Sequence, residues 1–479
     1  MRIHLSGICG TAMASLAGLL RAHGHEITGS DQDTYPPMST QLEALGIAVR
    51  SPYAETNVPV DADLVVIGNA LSRGNPEVEV VLDRKQRMAS MPALLAEEFM
   101  RGRRSIVVAG THGKTTTTSL LAFLLDRAGQ APSFLVGGVP QDFGSSYRLS
   151  EGPAFVVEGD EYDSAFFDKR PKFVHYWPDV AIIGNVEYDH ADIYPDLAAV
   201  QTAFLRLLSV VPRGGLVVAG AESPALSVLL AHARCRVETF GIGVDADWRA
   251  DGVEPVASGS RFRVRARGRD EGEFELALAG EHNVRNALAA LAAAAAEGID
   301  PEQVRTALRE FRGVKRRLEL RGRAAGVAVF DDFAHHPTAM RETLKALRAA
   351  PPSSPPGRLV AVFEPRSYTS RTRAFQSGFA DALALADEVV VAVAHLPGKV
   401  PEDQRISEPE LVAAIRERGG RAEFIPSVGA IVDDLAGRLD VGDRVVVLSN
   451  GGFGGIHERL LAALDRRAAR GGVRPGAMV

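Results

Sequence analysis

Cysteine is nearly absent: Cys9 and Cys235 are the two in 479 residues. They lie far apart and form no metal-spaced cluster, which argues against a disulfide framework and fits a reducing compartment. No apolar run reaches the roughly 18 residues that read as a membrane span, and Ala287 to Ala296 reads as an alanine-rich helix of a soluble fold. A charge excess of one sign is also missing. With a net charge of −6, no global field favours nucleic acid. The arginine runs at 101–104 and 315–323 are local and read as solvated surface. The start of the chain has no charged n-region with a cleavage site. No repeat of 20–50 residues recurs. These absences point to a cytoplasmic protein, and to neither nucleic acid nor membrane as its partner.

What is present is a globular composition, 46% hydrophobic and 24% charged, with ample core. At about 150 residues per domain the length suggests three domains. The most informative stretch is Val107 to Thr116. An apolar β-branched run meets the turn Gly110-Thr111-His112-Gly113, then Lys114-Thr115-Thr116 and a helical pattern to Arg127. A strand feeding a helix through such a loop aims backbone N–H groups at one spot, and the helix N-terminus adds partial positive charge. Gly110 and Gly113 let an anion approach, Lys114 can reach outer phosphates, and the Thr115 hydroxyl can hold Mg²⁺. The general template sets four residues between its glycines and would put the first at Val108, so this loop is tighter. A nucleoside triphosphate site is expected.

The opening residues read as a βαβ unit. A strand at Ile3 to Ser6 meets Gly7-Ile8-Cys9-Gly10-Thr11 and a helix to about His23, and a second strand ends at Ser30-Asp31. The turn is G-x-x-G, not G-x-G-x-x-G, so a nucleotide-sugar diphosphate suits the helix end as well as a dinucleotide. Strand Leu64 to Ile67 delivers Asn69-Ala70 to the same edge. Arg101 to Arg104 reads as a linker. Strands at 154–157 and 180–183 end in Glu158-Gly159-Asp160-Glu161 and Asn185 to His190, which collect beside Thr115. Singly, such acids are commonly caps. Together beside a phosphate loop they offer the hard oxygens Mg²⁺ prefers, whereas His190 reads equally as a structural histidine. Alternation at 261–267 and 273–279 predicts a hairpin. A helix then begins near Gly280 to Asn286, where Asn283 is a cap or an adenine contact.

From about 316 onwards β and α alternate. Strands are expected at 327–330, 359–363, 388–393, 422–425 and 443–448, and helices at 336–349, 371–386, 407–418, 427–438 and 456–467. A surface loop is expected at 350–357, and a frayed tail from Arg466. The expected fold is α/β in three domains: a Rossmann-like one at 1–100, a P-loop ATPase-like one with a mostly parallel sheet at 101–315, and a second Rossmann-like one at 316–479.

In their order, Gly110 to Thr116, Glu158, Asn185 to His190, Gly280 to Asn286, Lys315-Arg316-Arg317 and Asp331 to His336 resemble the Mur ligase family, the ATP-dependent amide-forming enzymes of peptidoglycan synthesis. The resemblance covers essentially the whole chain. The Gly7 to Met13 turn and the Asp332/His335-His336-Pro337 signature are similar to the branch activating UDP-N-acetylmuramate. No lysine stands between Lys172 and Lys315, so the carbamylated lysine of other members has no counterpart after His190. The stretches at 161–170, 172–176, 332–334, 364–367 and 449–457 resemble ligases that add the recycled tripeptide L-Ala-γ-D-Glu-meso-diaminopimelate. Free L-alanine is the alternative amine.

The resemblance implies that a carboxylate attacks the γ-phosphate of ATP and that an amine then displaces phosphate. It assigns catalysis to Lys114, Glu158, His190 and Arg317. ATP would be held by Gly110, Thr111, His112, Gly113, Lys114, Thr115, Thr116, His282, Asn283, Arg317 and Asp332. Mg²⁺ would be held by Thr115 and Glu158, with His190 serving a second ion. The UDP-sugar would lie on Gly7, Ile8, Cys9, Gly10, Thr11, Asp31, Asn69 and Ala70. The peptide would meet Arg366, Ser367, Asn450, Gly451 and Gly452. Arg317 would arrive from the third domain, so that closure assembles the site. Outside this family, an NAD-dependent oxidoreductase leaves Lys114 and the acids idle, and a non-catalytic nucleotide-binding regulator has no need of Glu158 and His190.

Overall fold

The computed structural model describes residues 1–32, 34, 38–351 and 355–470. Three sheets follow one another along the chain. The first has five parallel strands in the order Val49–Arg50, Glu26–Ser30, Arg2–Ser6, Leu64–Ile67 and Met88–Ser90. Ser6 pairs with both Ser30 and Ile67, so the Gly7 turn, Asp31 and the Gly68-Asn69 turn emerge side by side.

The central sheet has ten strands. Its core, Leu216–Gly220, Val180–Ile183, Arg104–Ala109, Ala154–Glu158 and Ser133–Leu135, is parallel. These strands read as near-continuous apolar runs because helices cover both faces. Helix Lys114–Arg127 packs directly on helix Glu281–Ala296. Small side chains permit that approach: Ala287, Ala290, Ala292 and Ala293 are fully buried against Leu120, Leu121 and Leu124. The third sheet orders Glu319–Ala324, Val327–Asp332, Arg444–Leu448, Leu359–Phe363, Glu388–Val391 and Arg421–Phe424, with only the first strand antiparallel.

Several local expectations need correction. The hairpin pairs Gly259–Ala266 with Arg269–Leu276, because Arg267 and Gly268 both take positive φ and form the two-residue turn that matches strand twist. A preceding strand, Trp248–Val256, was hidden by its charged, proline-containing second half. The helix expected at 371–386 is three pieces, Tyr368–Arg371, Arg373–Phe375 and Gln376–Leu383. Thr372 is extended and bridges to Arg405, which breaks the run. Arg104 is no linker: it begins a strand, and its guanidinium holds Glu297. The last helix runs to Arg470, beyond the expected fraying point, and the rest of the tail lies outside the described residues, as do 352–354 of the expected loop.

The units are joined by polar and close contacts. Ser15 on the first helix meets Ser146 of the central unit at 2.7 Å. Gly18 on that helix gives the Tyr147 side chain its place, since a Cβ there would lie 2.1 Å from the ring and displace it. The central and third units meet through the loop 187–190, described next.

Candidate active site

Register alone gathers the site. Ala109 pairs with Ile183 and Val108 with Glu158, so the loops at 110–113, 159–161 and 184–190 leave one sheet edge together. Gly110 (φ 126°) lies so close to the neighbouring loop that a Cβ would stand 3.0 Å from the Gly184 nitrogen. Gly113 (φ 82°) caps the following helix without any side-chain cap, leaving first-turn amides for an anion. The loop is braced from beside: the Thr111 amide donates to the Asn185 carbonyl (3.0 Å) and the His112 amide to Asn185 Oδ1 (2.8 Å).

Lys114 Nζ donates to the Gly110 carbonyl (2.7 Å), the Thr111 carbonyl (3.3 Å) and Glu161 (2.8 Å). Its three donors are therefore committed. Glu161 also meets His190 Nε2 at 3.0 Å. Burial would lower the His190 pKa, but the hydrogen bond and charge of Glu161, with Asp189, raise it to about 9. Burial would likewise raise Glu161, and Lys114 and His190 outweigh it and pull it below the usual carboxylate range. His190 is thus an imidazolium clamped between carboxylates in a left-handed backbone (φ 56°).

The donor set suits a hard cation in part. The Thr115 hydroxyl lies 3.0 Å from Glu158 Oε1, two oxygen ligands of the kind Mg²⁺ takes. Ligand atoms of Asp160, Glu161 and His190 lie within 4.8 Å of one another. To join a metal there, His190 would have to release its proton.

Arg317 Nη2 donates to Thr115 Oγ1 at 3.1 Å, so this residue from beyond the central sheet already reaches the phosphate loop. Asp332 accepts from the Leu318 and Ala334 amides (2.6 and 2.8 Å), fixing the backbone beside Arg317. Burial raises its pKa against the pull of Arg317. His282 is half-buried, and its buried Nδ1 has no hydrogen-bond partner among the described residues, an acceptor or donor left for a ligand; desolvation lowers its pKa to about 4, keeping it neutral. Asn283 lies beside it, donating to the Ala279 carbonyl (2.8 Å) and accepting from Asn286.

Lys114, Thr115, Glu158, Asp160, His190, His282, Asn283, Arg317 and Asp332 line one cavity of about 1150 Å³, with Thr11, Ala12 and Met91 at one end and Ser367, Thr369 and Asn450 at another. Residues 187–189 hold its third wall. Glu187 accepts from the Thr338 hydroxyl (2.6 Å), Asp189 from the Thr369 hydroxyl (2.6 Å), and His336 Nε2 meets the Tyr188 carbonyl (3.2 Å).

The other expected residues are placed more loosely. Gly7, Ile8, Cys9 and Asp31 form one turn, in which the Cys9 amide donates to Asp31 (2.8 Å) and Tyr53 OH donates to its other oxygen (3.0 Å). Asn69 and Ala70 are exposed next to it. Of that set only Thr11 lines the cavity. At the opposite end Arg366 packs on Gly451, where a Cβ would lie 2.0 Å from its guanidinium, and Ser367 caps the short helix Tyr368–Arg371. Gly452 has open space around it.

Models of three families match in chain order: the "Mur ligase family, catalytic domain" over residues 2–104, the "Mur ligase middle domain" over 108–294, and the "Mur ligase, glutamate ligase domain" over 316–451. The UDP-N-acetylmuramate–L-alanyl-γ-D-glutamyl-meso-2,6-diaminoheptandioate ligase of Escherichia coli is 44% identical over 98% of this chain and 99% of its own. The chain belongs to the Mur ligase family. Mur ligases are ATP-dependent amide-forming enzymes, and this chain is one. A UDP-N-acetylmuramate–L-alanine ligase of Kineococcus radiotolerans is 39% identical over 97% of each chain. Among solved structures, a murein peptide ligase of Psychrobacter arcticus matches with a TM-score of 0.73 and 39% identity, over 97% of this chain and 99% of that one.

The strand Ala154–Glu158 ends at Glu158, so Asp160 and Glu161 leave the same edge as the phosphate loop, as their position in the sequence of this Mur ligase led one to expect. What the sequence did not assign is an individual role to Asp160, Glu161 or Asp189, or any site role to Lys172.

Proposed function

We propose that this enzyme joins UDP-N-acetylmuramate to the tripeptide L-Ala-γ-D-Glu-meso-diaminopimelate, in peptidoglycan recycling within the cytoplasm. The carrying observation is the single cavity that connects the edges of all three sheets. A nucleotide, a UDP-linked acid and a peptide amine can meet there beside Lys114. The substrates named for the E. coli relative supply the chemistry, and the stretches at 364–367 and 449–455 supply the peptide end.

In this reading a carboxylate oxygen attacks the γ-phosphorus, ADP departs, and the peptide amine attacks the acyl carbon and expels phosphate. Such chemistry depends on positioning and charge neutralisation more than on a protein nucleophile. Lys114 would exchange Glu161 for phosphate oxygens. Arg317 would follow the transferring phosphoryl group, with His282 and Asn283 at the adenine. The Gly7 turn, Asp31, Asn69 and Ala70 would carry the UDP-sugar. Mg²⁺, when held by Thr115 and Glu158, supplies Lewis-acid neutralisation of the phosphates.

Initial rates of phosphate release with UDP-N-acetylmuramate, ATP and each amine test the proposal. A higher kcat/KM with the tripeptide than with L-alanine is expected, and the reverse overturns it.

A further inference from the structure

Lys172 opens the turn Lys172–Tyr176, anchored by the buried Phe173 and Tyr176. This turn packs against helix Met91–Leu95 of the first unit, and both Met91 and Lys172 line the cavity. The ammonium therefore stands between the phosphate loop and the edge of the UDP-sugar unit. Its side chain is only 12% exposed.

Its bonding differs from that of Lys114. Lys172 Nζ has one hydrogen-bond partner among the described residues, Asp160 Oδ2 at 2.6 Å. An ammonium has three donors, so two remain for something in the cavity. The Tyr162 ring lies 5.8 Å from Nζ and is pinned through its hydroxyl to both oxygens of Asp192 (3.2 Å each). The ring limits where the lysine can swing. A nearly buried ammonium with one donor on Asp160 and two uncommitted, in a cavity for anionic substrates, has the capacity to bind a second anion beside Asp160.

The reaction supplies a specific one. A carboxylate and a triphosphate must be brought together although like charges repel. Lys114, Arg317 and the loop amides lie on the phosphate side. Among the described residues, Lys172 is the lining cation towards Met91.

We propose that Lys172 binds the carboxylate of the UDP-linked acid and holds it for attack on the γ-phosphate, with Asp160 setting the direction of its ammonium. This rests on the ligase reading above. If the wild-type enzyme ligates neither amine to UDP-N-acetylmuramate, that reading fails. The proposal itself is tested by comparing UDP-N-acetylmuramate with UDP-N-acetylglucosamine, which lacks the lactyl carboxylate. In calorimetric titrations Lys172→Gln is expected to weaken the first by about tenfold or more, the scale of a lost charged hydrogen bond, and to leave the second unchanged. KM for UDP-N-acetylmuramate should rise, KM for ATP should hold, and Lys172→Arg should recover most of the loss. Lys172→Met, which keeps the apolar stem, is read in the same way. Equal weakening of both nucleotide sugars, or of neither, overturns the proposal. So does a chain that folds only with a cation at 172, because the charge would then serve the fold and not the substrate.

Discussion

Lys114 Nζ lies 2.8 Å from Glu161 Oε2, and the same carboxylate holds His190 at 3.0 Å. The phosphate-loop cation is thus stored on an internal anion, and incoming phosphate replaces one charge-assisted bond with another. Lys114→Ala removes the cation while Glu161 keeps His190 as partner. We expect kcat to fall by about 10²–10³-fold or more, the scale seen when one preorganised charge-stabilising donor is lost. Circular dichroism and the melting profile should show the fold retained. Phosphate release dependent on both cosubstrates measures the effect, and full activity would remove the loop from catalysis.

The phosphate loop was legible because a strand, two glycines, Lys-Thr and a helix form a local pattern whose chemistry needs no distant partner. The parallel sheets were legible for the same reason: apolar runs of four or five residues alternate with amphipathic helices. What stayed hidden was set by long-range register. That Glu161 reaches Lys114, or that Thr369 caps Asp189 across 180 residues, depends on which loops share an edge. Asp332 carries the same lesson, since its carboxylate is committed to two backbone amides that the sequence pattern does not reveal.

Arg317 joins the third unit to the phosphate loop through Thr115 and lies 5.1 Å from the Phe333 ring centroid. A planar guanidinium can stack on the ring and donate sideways to phosphate, and an ammonium cannot do both. Arg317→Lys is expected to lower kcat about tenfold or more, with KM for the UDP-sugar unchanged. Steady-state kinetics with each substrate varied will show it. A changed UDP-sugar KM at constant kcat would place Arg317 outside the phosphate step.

Arg366 and Gly451 offer two independent routes to one phenotype. Arg366→Ala deletes the guanidinium expected to face the peptide carboxylates. Gly451→Ala should displace it, because the new Cβ would lie 2.0 Å from Arg366 Nε. Both variants should raise KM for the tripeptide, by about tenfold for a lost charged contact, and leave KM for ATP alone. Unchanged tripeptide KM in both variants clears Arg366 of the role.

Glu77 lies fully buried beneath the edge that carries Asp31 and Tyr53. It accepts from Ser6 (2.6 Å), Ser30 (2.5 Å) and Asn57 (2.9 Å), and its other reach is to the Ala54 amide (3.4 Å). Burial alone would raise its pKa. The nearby His4 ring (Nε2 at 3.7 Å) and hydrogen bonds from Ser30, Ser6 and Asn57 outweigh burial and bring it from 4.5 down to about 2. A carboxyl lowered on folding stabilises the native state fully above its unfolded value, and the contribution fades as pH falls through its folded value. At neutral pH the shift corresponds to about 3 kcal/mol, lost between roughly pH 4.5 and pH 2. Glu77→Gln should therefore weaken hydrogen-exchange protection of strand Arg2–Ser6 at pH 7. It should also flatten the acid dependence that the wild type shows over that window. Because this network supports the 53–57 loop and, through Tyr53, Asp31, UDP-sugar affinity should fall with it while ATP affinity stays. Equal protection of the strand in both proteins at pH 7 would mean that the buried carboxylate is held without net benefit, as some buried charges are.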